Sequence, residues 1–276
     1  MTPAKIISAL NIFFIEIQSV ALIHKSQDFS SLVNNHYTCY NPVMISDIKG
    51  IAFDLDGTLY PNYRLNIRLL PFILKEARLL SAFGKTRNIM RKEQEESFQS
   101  QSIISDVDFY ERQAQITAKI LNVPADEIKE KIDKLIYKGW EPIFKNIKPF
   151  KNVYETLVVF KNAGLKLGLL SDFPPETKLE HLKLNSFWDA VDCSERSGAI
   201  KPHPLPFRKL AESMGLLCEN ILYVGNSYKY DVIGAARAGM KTAWIKNRLE
   251  PSKAFKTPEP DFSFINYRQL QKIMLE

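Results

Sequence analysis

Short apolar segments alternate with longer amphipathic segments from residue 48 onward. The apolar segments lack internal polar alternation, and most of them run into an acidic or small polar residue. Strands that are buried on both faces of a parallel sheet have this pattern. We therefore predict six strands, at Ile51–Phe53, Leu165–Leu170, Ala190–Val191, Ile221–Val224, Thr242–Ile245 and Phe262–Ile265.

Helical periodicity fills several of the intervals between these strands. Three segments carry apolar residues at helical spacing, and each is followed by a glycine, which commonly ends a helix. They are Val153–Ala163, Phe207–Met214 and Val232–Ala238. The alternation predicts an α/β fold with a doubly wound, parallel, Rossmann-like sheet.

The segment 61–149 interrupts this alternation because it contains helical patterns but no strand. Leu65–Phe83 shows apolar residues at three and four spacing, and Pro124 opens a helix that runs to Tyr137. Between them, Ser105 and Asp108 resemble a capping box at the start of a helix that ends at Leu121. We predict a helical cap, 61–149, inserted into a core formed by 48–60 and 150–276.

The first residues form a separate region, 1–47, of uncertain role. The apolar stretch Ile6–Ile23 is interrupted by Glu16, and no clear cleavage site follows before Lys25. Both features count against a membrane span and against an export signal. Two other interpretations are an appendage that precedes the true start of the protein near Met44, and an amphipathic docking helix.

Composition narrows the classes of protein. The chain has 276 residues, 45% hydrophobic and 25% charged, which is typical of a globular protein. Its formal net charge of +6 suits anionic substrates, but no basic stripe interleaved with aromatic residues predicts nucleic-acid binding. The three cysteines, Cys39, Cys193 and Cys218, have no C-x-x-C spacing and indicate neither zinc nor a disulfide framework. They favour a reducing cytoplasm.

The strongest candidate chemistry follows the first strand, where the chain reads Asp54-Leu55-Asp56-Gly57-Thr58. Two carboxylates at this spacing can face one crevice if the chain bends at the glycine. Their mutual repulsion indicates a bound cation or a raised pKa in one of them.

This segment resembles the first motif of the haloacid dehalogenase-like superfamily of phosphohydrolases. Three later segments match that family in the expected order, and a helical cap after the first motif also agrees. They are Leu170-Ser171-Asp172, Ile200-Lys201-Pro202, and Gly225-Asn226 with the downstream Asp231. The resemblance extends over 48–245.

The resemblance implies a role for each matching residue. Asp54 would attack phosphorus to form an aspartyl phosphate, and Asp56 would act as general acid and base. The residues that would contact the phosphate are Thr58, Ser171, Asp172 and Lys201. Mg²⁺ would be bound by Asp54, by the backbone carbonyl of Asp56, and by Asn226 and Asp231.

One position departs from the family pattern, since the fourth motif usually begins Gly-Asp and this chain has Asn226. The neutral amide predicts weaker magnesium binding and leaves a non-catalytic relative that binds a phosphorylated ligand or a partner protein as the alternative. The expected substrate is a small phosphorylated metabolite. Resemblances to phosphoglycolate phosphatases and to pyrimidine nucleotidases do not identify it, and the sequence predicts no membrane partner and no particular oligomeric state.

Overall fold

The computed structural model describes residues 47–102, 107–139, 144, 146–246 and 258–275. The N-terminal stretch Ile6–Ile23 and the predicted capping residue Ser105 lie outside the described residues. No helix in the described part is both long enough and apolar enough to cross a membrane.

Six parallel strands form one sheet in the order β3-β2-β1-β4-β5-β6. The strands are β1 Gly50–Phe53, β2 Lys166–Ser171, β3 Ala190–Cys193, β4 Ile221–Gly225, β5 Lys241–Ile245 and β6 Phe262–Phe264. All six predicted strands are therefore confirmed, with ends that differ by one or two residues. The predicted α/β, Rossmann-like fold class is also confirmed.

Helices cover both faces of the sheet and fill the interval between β1 and β2. Their bounds are α1 Asn62–Lys75, α2 Ala77–Ser100, α3 Phe109–Leu121, α4 Ala125–Ile132, α5 Val153–Asn162, α6 Glu176–Leu182, α7 Pro204–Met214, α8 Ile233–Ala238 and α9 Tyr267–Leu275. A wider turn, Asp133–Tyr137, extends α4, and another, Tyr228–Val232, precedes α8. We call α1 to α4 the helical insertion.

The core lies on both sides of β1, β2 and β4. On one face Phe53 and Leu169 pack in a cluster that includes Leu157 of α5 and Leu270 of α9. On the other face, fully buried side chains of the same strands pack with α7 in a second cluster, which includes Ala52, Leu170, Tyr223, Phe207 and Leu210. Burial on both faces explains why the strands read as continuous apolar segments.

The order of the strands reverses at β1. β1 pairs with β2 on one side and with β4 on the other, so that Phe53 lies opposite Leu169 and Val224. Helix α6, which follows β2, packs in the first of these clusters and α8, which follows β4, packs in the second, so the chain leaves β2 and β4 toward opposite faces. In open α/β sheets, ligands bind in a crevice at the carboxyl ends of the strands, at such a reversal of the strand order.

The helical insertion differs from the prediction at two places. The predicted helix Leu65–Phe83 is two helices, because the chain turns at Glu76, whose backbone N–H bonds to Phe72 O, and α2 then continues to Ser100. The cap of α3 is Asp108 itself, whose carboxylate accepts hydrogen bonds from Tyr110 N and Glu111 N. The helix therefore begins three residues later than a cap at Ser105 would place it.

The second half of α2 packs on the core through polar side chains, among which Arg87 and Gln94 are buried. Gln94 Nε2 donates to Gly198 O at 3.5 Å, and its Oε1 accepts from Ile200 N at 3.1 Å. Arg237 bonds both carboxylate oxygens of Glu95 at 2.6 and 3.1 Å. A face that buries polar groups lacks the apolar periodicity by which a helix is predicted.

Candidate active site

The predicted site residues meet at the carboxyl edge of the sheet. Asp54 directly follows β1, Ser171 ends β2, and Asn226 directly follows β4, the neighbour of β1. The Asp54 N–H donates to Val224 O at 2.9 Å, so the pairing of β1 with β4 continues past the end of β1. Val224 lies two residues before Asn226. The structure thus brings the first, second and fourth motifs to the point where the strand order reverses.

Asp54 is buried and both of its carboxylate oxygens have partners. Oδ1 accepts from Lys201 Nζ at 2.6 Å and Oδ2 accepts from the Thr58 hydroxyl at 2.8 Å. Burial raises the pKa of Asp54 to about 7 against the lowering effect of Lys201, and the nearby Asp231 and Asp56 carboxylates raise it as well. A cation beside Asp54 would favour its ionised form.

Lys201 joins the first motif to the fourth. Its Nζ lies 2.6 Å from Asp54 Oδ1 and 2.8 Å from Asp231 Oδ1, and it also approaches the Tyr223 hydroxyl at 3.2 Å. Burial alone would lower the pKa of this lysine, but the Asp231 and Asp54 carboxylates raise it well above its ordinary value. Lys201 is therefore a fixed positive charge between two carboxylates.

The loop after Asp54 bends at Gly57, whose φ of +92° is one that side chains with a Cβ rarely adopt. A Cβ there would lie 2.5 Å from Nδ2 of both Asn226 and Asn62, so that only glycine fits without displacement. The close packing brings the Thr58 hydroxyl within 3.2 Å of Asn226 Oδ1. Thr58 therefore contacts both the first and the fourth motif.

Asp56 projects beside Asp54 and has two side-chain donors. The Tyr60 hydroxyl donates to its Oδ1, and Lys178 Nζ lies 2.8 Å from Oδ1 and 2.6 Å from Oδ2. Asn62 Nδ2 approaches the Asp56 backbone carbonyl at 3.3 Å. Lys178 could not be selected from the sequence, because a lysine in a short helix usually lies at the surface.

Ser171 has a buried hydroxyl that lacks a hydrogen-bond partner among the described residues. Buried hydroxyl groups are normally satisfied, so an unpaired one at the edge of a site indicates a ligand oxygen or a water molecule. A phosphoryl oxygen would supply the missing acceptor.

Asp172 lies at a junction between the core and the helical insertion. Arg87 and Arg91 of α2 each place a guanidinium nitrogen 3.2 Å from its Oδ2, and Lys201 N donates to its Oδ1 at 3.2 Å. Burial would raise the pKa of Asp172, but Arg87, Lys201 and Arg91 lower it. Both carboxylate oxygens of Asp172 therefore have protein partners. The predicted contact between Asp172 and the substrate stays a prediction.

Glu195 completes this junction and was not selected from the sequence. It is buried and pairs with Arg87, whose guanidinium carbon also lies 4.4 Å from the centre of the Phe173 ring. Burial raises the pKa of Glu195 to about 7, although Arg87 acts in the opposite direction. Neither Arg87 nor Glu195 belongs to a motif. In the sequence each is an isolated charge in a polar stretch, which is typical of a solvated surface.

Oxygen atoms form the donor set that could hold a metal ion. In the described part of the chain, no three side chains of His, Cys, Asp or Glu are grouped to bind one. The Asp231 carboxylate is engaged by Lys201 and by Ser227 N, at 2.8 and 2.9 Å. The Asp54 carboxylate, the Asn226 amide oxygen and the Asp56 carbonyl also accept hydrogen bonds from the protein, and each oxygen keeps a second lone pair for a cation. All are hard ligands of the type that Mg²⁺ accepts together with several water molecules.

Curated relatives hydrolyse phosphate compounds, according to their names. The chain is 27% identical over 248 residues to the glyceraldehyde 3-phosphate phosphatase of Methanopyrus kandleri, covering 83% of this chain and 98% of the relative. It is 30% identical over 131 residues to the pyrophosphatase PpaX of Bacillus cereus, and this match covers 46% of this chain and 60% of the relative.

Solved structures share the fold. A HAD phosphatase from Thermococcus onnurineus superimposes with a TM-score of 0.54 at 21% identity, covering 83% of this chain and 98% of that one. The L-2-haloacid dehalogenase of Xanthobacter autotrophicus gives a TM-score of 0.54 at 17% identity, covering 82% and 98%. At these identities the likeness shows the fold alone.

The family assignment rests on a match to a family model. A family model described as haloacid dehalogenase-like hydrolase matches residues 48–239, from the first strand through the fourth motif. Since this match spans more than half of the chain and includes every predicted site residue, the chain belongs to the haloacid dehalogenase-like hydrolases.

Proposed function

We propose that this hydrolase is a magnesium-dependent phosphatase that cleaves a small phosphate monoester through an aspartyl-phosphate intermediate. The observation that carries the proposal is the arrangement of Asp54, Lys201 and Asp231 within 2.6 and 2.8 Å contacts at the crevice. A carboxylate beside a fixed cation supports the role of nucleophile that we propose for Asp54. The unpaired Ser171 hydroxyl provides a donor for a phosphoryl oxygen.

In the first step, an Asp54 oxygen attacks phosphorus and the bond to the ester oxygen breaks. Asp56 gives a proton to that oxygen, so that the product leaves as a neutral alcohol. Lys201 and Ser171 stabilise the negative charge on the equatorial phosphoryl oxygens, which is the main requirement of phosphoryl transfer.

In the second step, water attacks the phosphorus of the aspartyl phosphate. The Asp56 carboxylate accepts a proton from this water, and the bond between phosphorus and the Asp54 oxygen breaks. Inorganic phosphate leaves, and both carboxyl groups return to their starting states.

Mg²⁺ would be held by Asp54, the Asp56 carbonyl and Asn226. Asp231 lies near this group, because Lys201 contacts both Asp231 and Asp54. When bound, the ion would neutralise phosphate charge and favour the ionised form of Asp54. The chain's own contribution is to fix these oxygens, through the Gly57 bend and the Thr58 hydroxyl.

The names of the relatives and the chemistry of the site together support the proposed substrate class. The names of the relatives include a sugar-phosphate phosphatase and a pyrophosphatase, both of which act on small phosphorylated compounds.

We propose that the helical insertion covers the site as a cap, because Arg87 and Arg91 fasten it to the loop after β2. Two free thiols, Cys193 and Cys218, agree with a cytoplasmic location.

A substrate panel tests the proposed function. Aryl phosphates, sugar phosphates, nucleoside monophosphates, phosphoglycolate and pyrophosphate are incubated with the full chain, with MgCl₂ or with EDTA, and released phosphate is measured. We expect release from at least one monoester in MgCl₂ and none in EDTA. If no compound is hydrolysed, the enzyme proposal is wrong and the non-catalytic, ligand-binding alternative is favoured.

Asn226→Asp tests the proposed metal position. A carboxylate there adds a negative charge to the donor set, and the number of ligand charges tunes the affinity for divalent cations, so we expect about tenfold less MgCl₂ at half-maximal activity. The measurement is phosphate release as a function of MgCl₂ concentration. The matched control is Asn185→Asp at an exposed position. An unchanged midpoint in Asn226→Asp would remove residue 226 from the metal site.

A further inference from the structure

Lys178 occupies an unusual position for a lysine. It is the third residue of α6, only 7% exposed, and it reaches across to the loop after β1. There its Nζ lies 2.8 and 2.6 Å from the two carboxylate oxygens of Asp56. Lysines are almost never buried unless they are paired, so Asp56 is the charge that permits this burial.

Two aromatic rings enclose the ammonium group. Nζ lies 5.4 Å from the centre of the Phe144 ring and 5.6 Å from that of Phe173, which belongs to the loop after β2. An ammonium group within about 6 Å of an aromatic ring is attracted to it, more strongly when water is excluded. Lys178 is therefore held in place by both rings and by the carboxylate.

Tyr60 approaches the same carboxylate and is itself fully buried. Its hydroxyl donates to Asp56 Oδ1, the oxygen that Lys178 contacts at 2.8 Å. Oδ1 therefore accepts from two donors and Oδ2 accepts from Lys178 alone, so three contacts fix the orientation of the carboxylate. The Asp56 side chain is 28% exposed, which leaves it accessible from the crevice.

We propose that Lys178, assisted by Tyr60, is a positioning residue that fixes the Asp56 carboxyl group for proton transfer. The inference rests on the proposed function, in which Asp56 protonates the leaving oxygen and then activates water. Without these donors the Asp56 side chain, which lies beside the Gly57 bend, could rotate away from the leaving oxygen. The first chemical step would then proceed with less help from the acid.

The dependence on the leaving group separates this role from a merely structural one. p-Nitrophenolate leaves readily without a proton, whereas phenolate needs protonation more. The value of kcat/KM includes only steps up to and including the first cleavage, so it reports this proton transfer. A variant that was merely less well folded would lose the same factor with both esters.

The experiment compares Lys178→Met with the wild type on phenyl phosphate and p-nitrophenyl phosphate in MgCl₂. General acid catalysis contributes on the order of 10²–10⁴-fold, and a misplaced acid forfeits part of it. We therefore expect kcat/KM to fall about 30-fold for phenyl phosphate and only about threefold for p-nitrophenyl phosphate. The control is Lys131→Met, which removes an exposed ion pair with Glu127 and should change neither value.

Tyr60→Phe provides a second probe, which removes only a hydroxyl and serves if Lys178→Met does not fold. It should show the same preference for the better leaving group, with a smaller loss. Equal losses on both esters, or no loss on either, in folded variants of an active wild type would overturn this inference alone. A wild type that is inactive on every phosphate ester would overturn the proposed function and this inference with it.

Discussion

The Asp54→Asn variant is expected to release no measurable phosphate from any ester that the wild type hydrolyses. An amide oxygen occupies the same volume but cannot form the acyl phosphate, and removal of a nucleophile costs on the order of 10⁴-fold or more. The measurement is phosphate release at saturating substrate in MgCl₂. It is accompanied by acid quenching, in which the wild type but not the variant should retain phosphate on the protein.

The fold of Asp54→Asn should be preserved. Lys201 keeps its 2.8 Å contact with Asp231, and the substitution replaces a carboxyl group whose ionised form is disfavoured by burial and by the nearby Asp231 and Asp56 carboxylates. The Tm of thermal unfolding should therefore change by only a few degrees. Asp126→Asn, at an exposed position, is the matched control and should be fully active. Residual activity above about 1% of the wild type would contradict the assignment of Asp54 as nucleophile.

Arg87→Met is expected to cause the largest loss of stability. The Arg87 side chain is 2% exposed and pairs with the equally buried Glu195 and with Asp172. Removal of one partner of a buried ion pair leaves an uncompensated charge and typically costs about 3 to 5 kcal/mol. Asp172 retains Arg91 and Lys201 N, so Glu195 is the group left without its cation.

The cost of Arg87→Met should depend on pH with a defined sign. Burial already raises the pKa of Glu195 to about 7, and loss of the guanidinium would raise it further. Between the lower pKa of the unfolded chain and this raised value, the folded protein binds more protons. Its stability therefore falls as pH rises. We expect a larger loss in the free energy of unfolding at pH 8 than at pH 5, measured in urea by tryptophan fluorescence.

Two variants control this measurement. Arg87→Met combined with Glu195→Gln removes the titrating carboxyl group, so the extra loss at pH 8 should disappear. Arg196→Met breaks an exposed ion pair with Glu176 and should cost less than about 1 kcal/mol at either pH. A pH-independent loss in Arg87→Met would mean that Glu195 does not titrate in the folded protein.

The sheet was predictable because each strand is buried on both faces, which leaves a continuous apolar segment in the sequence. The first motif was predictable because its two carboxylates follow such a strand and precede a glycine. The boundary at Glu76 was not, since the apolar periodicity of Leu65–Phe83 continues through it. The rest of α2 was missed because it buries Arg87 and Gln94 where a predicted helix would bury leucines.

The residues that support the predicted motifs also could not be predicted from the sequence. Lys178, Arg87 and Glu195 belong to no motif, and their burial depends on partners that are distant along the chain. A charged residue in a short helix or a polar stretch is ordinarily exposed, so its identity alone cannot reveal a buried pair. Only the folded arrangement shows that they surround the motifs.

The position of β1 at the centre of the sheet has a consequence for how the chain folds. Phe53 gains its first neighbour only at Leu169 and its second at Val224, and the N–H of Asp54 bonds to the carbonyl of that same Val224. Contacts so distant in sequence slow folding, because a long loop must close before they form. During synthesis, β1 therefore waits for most of the polypeptide to emerge from the ribosome, and a chain that ends before β4 cannot complete the hydrogen bonds around Asp54.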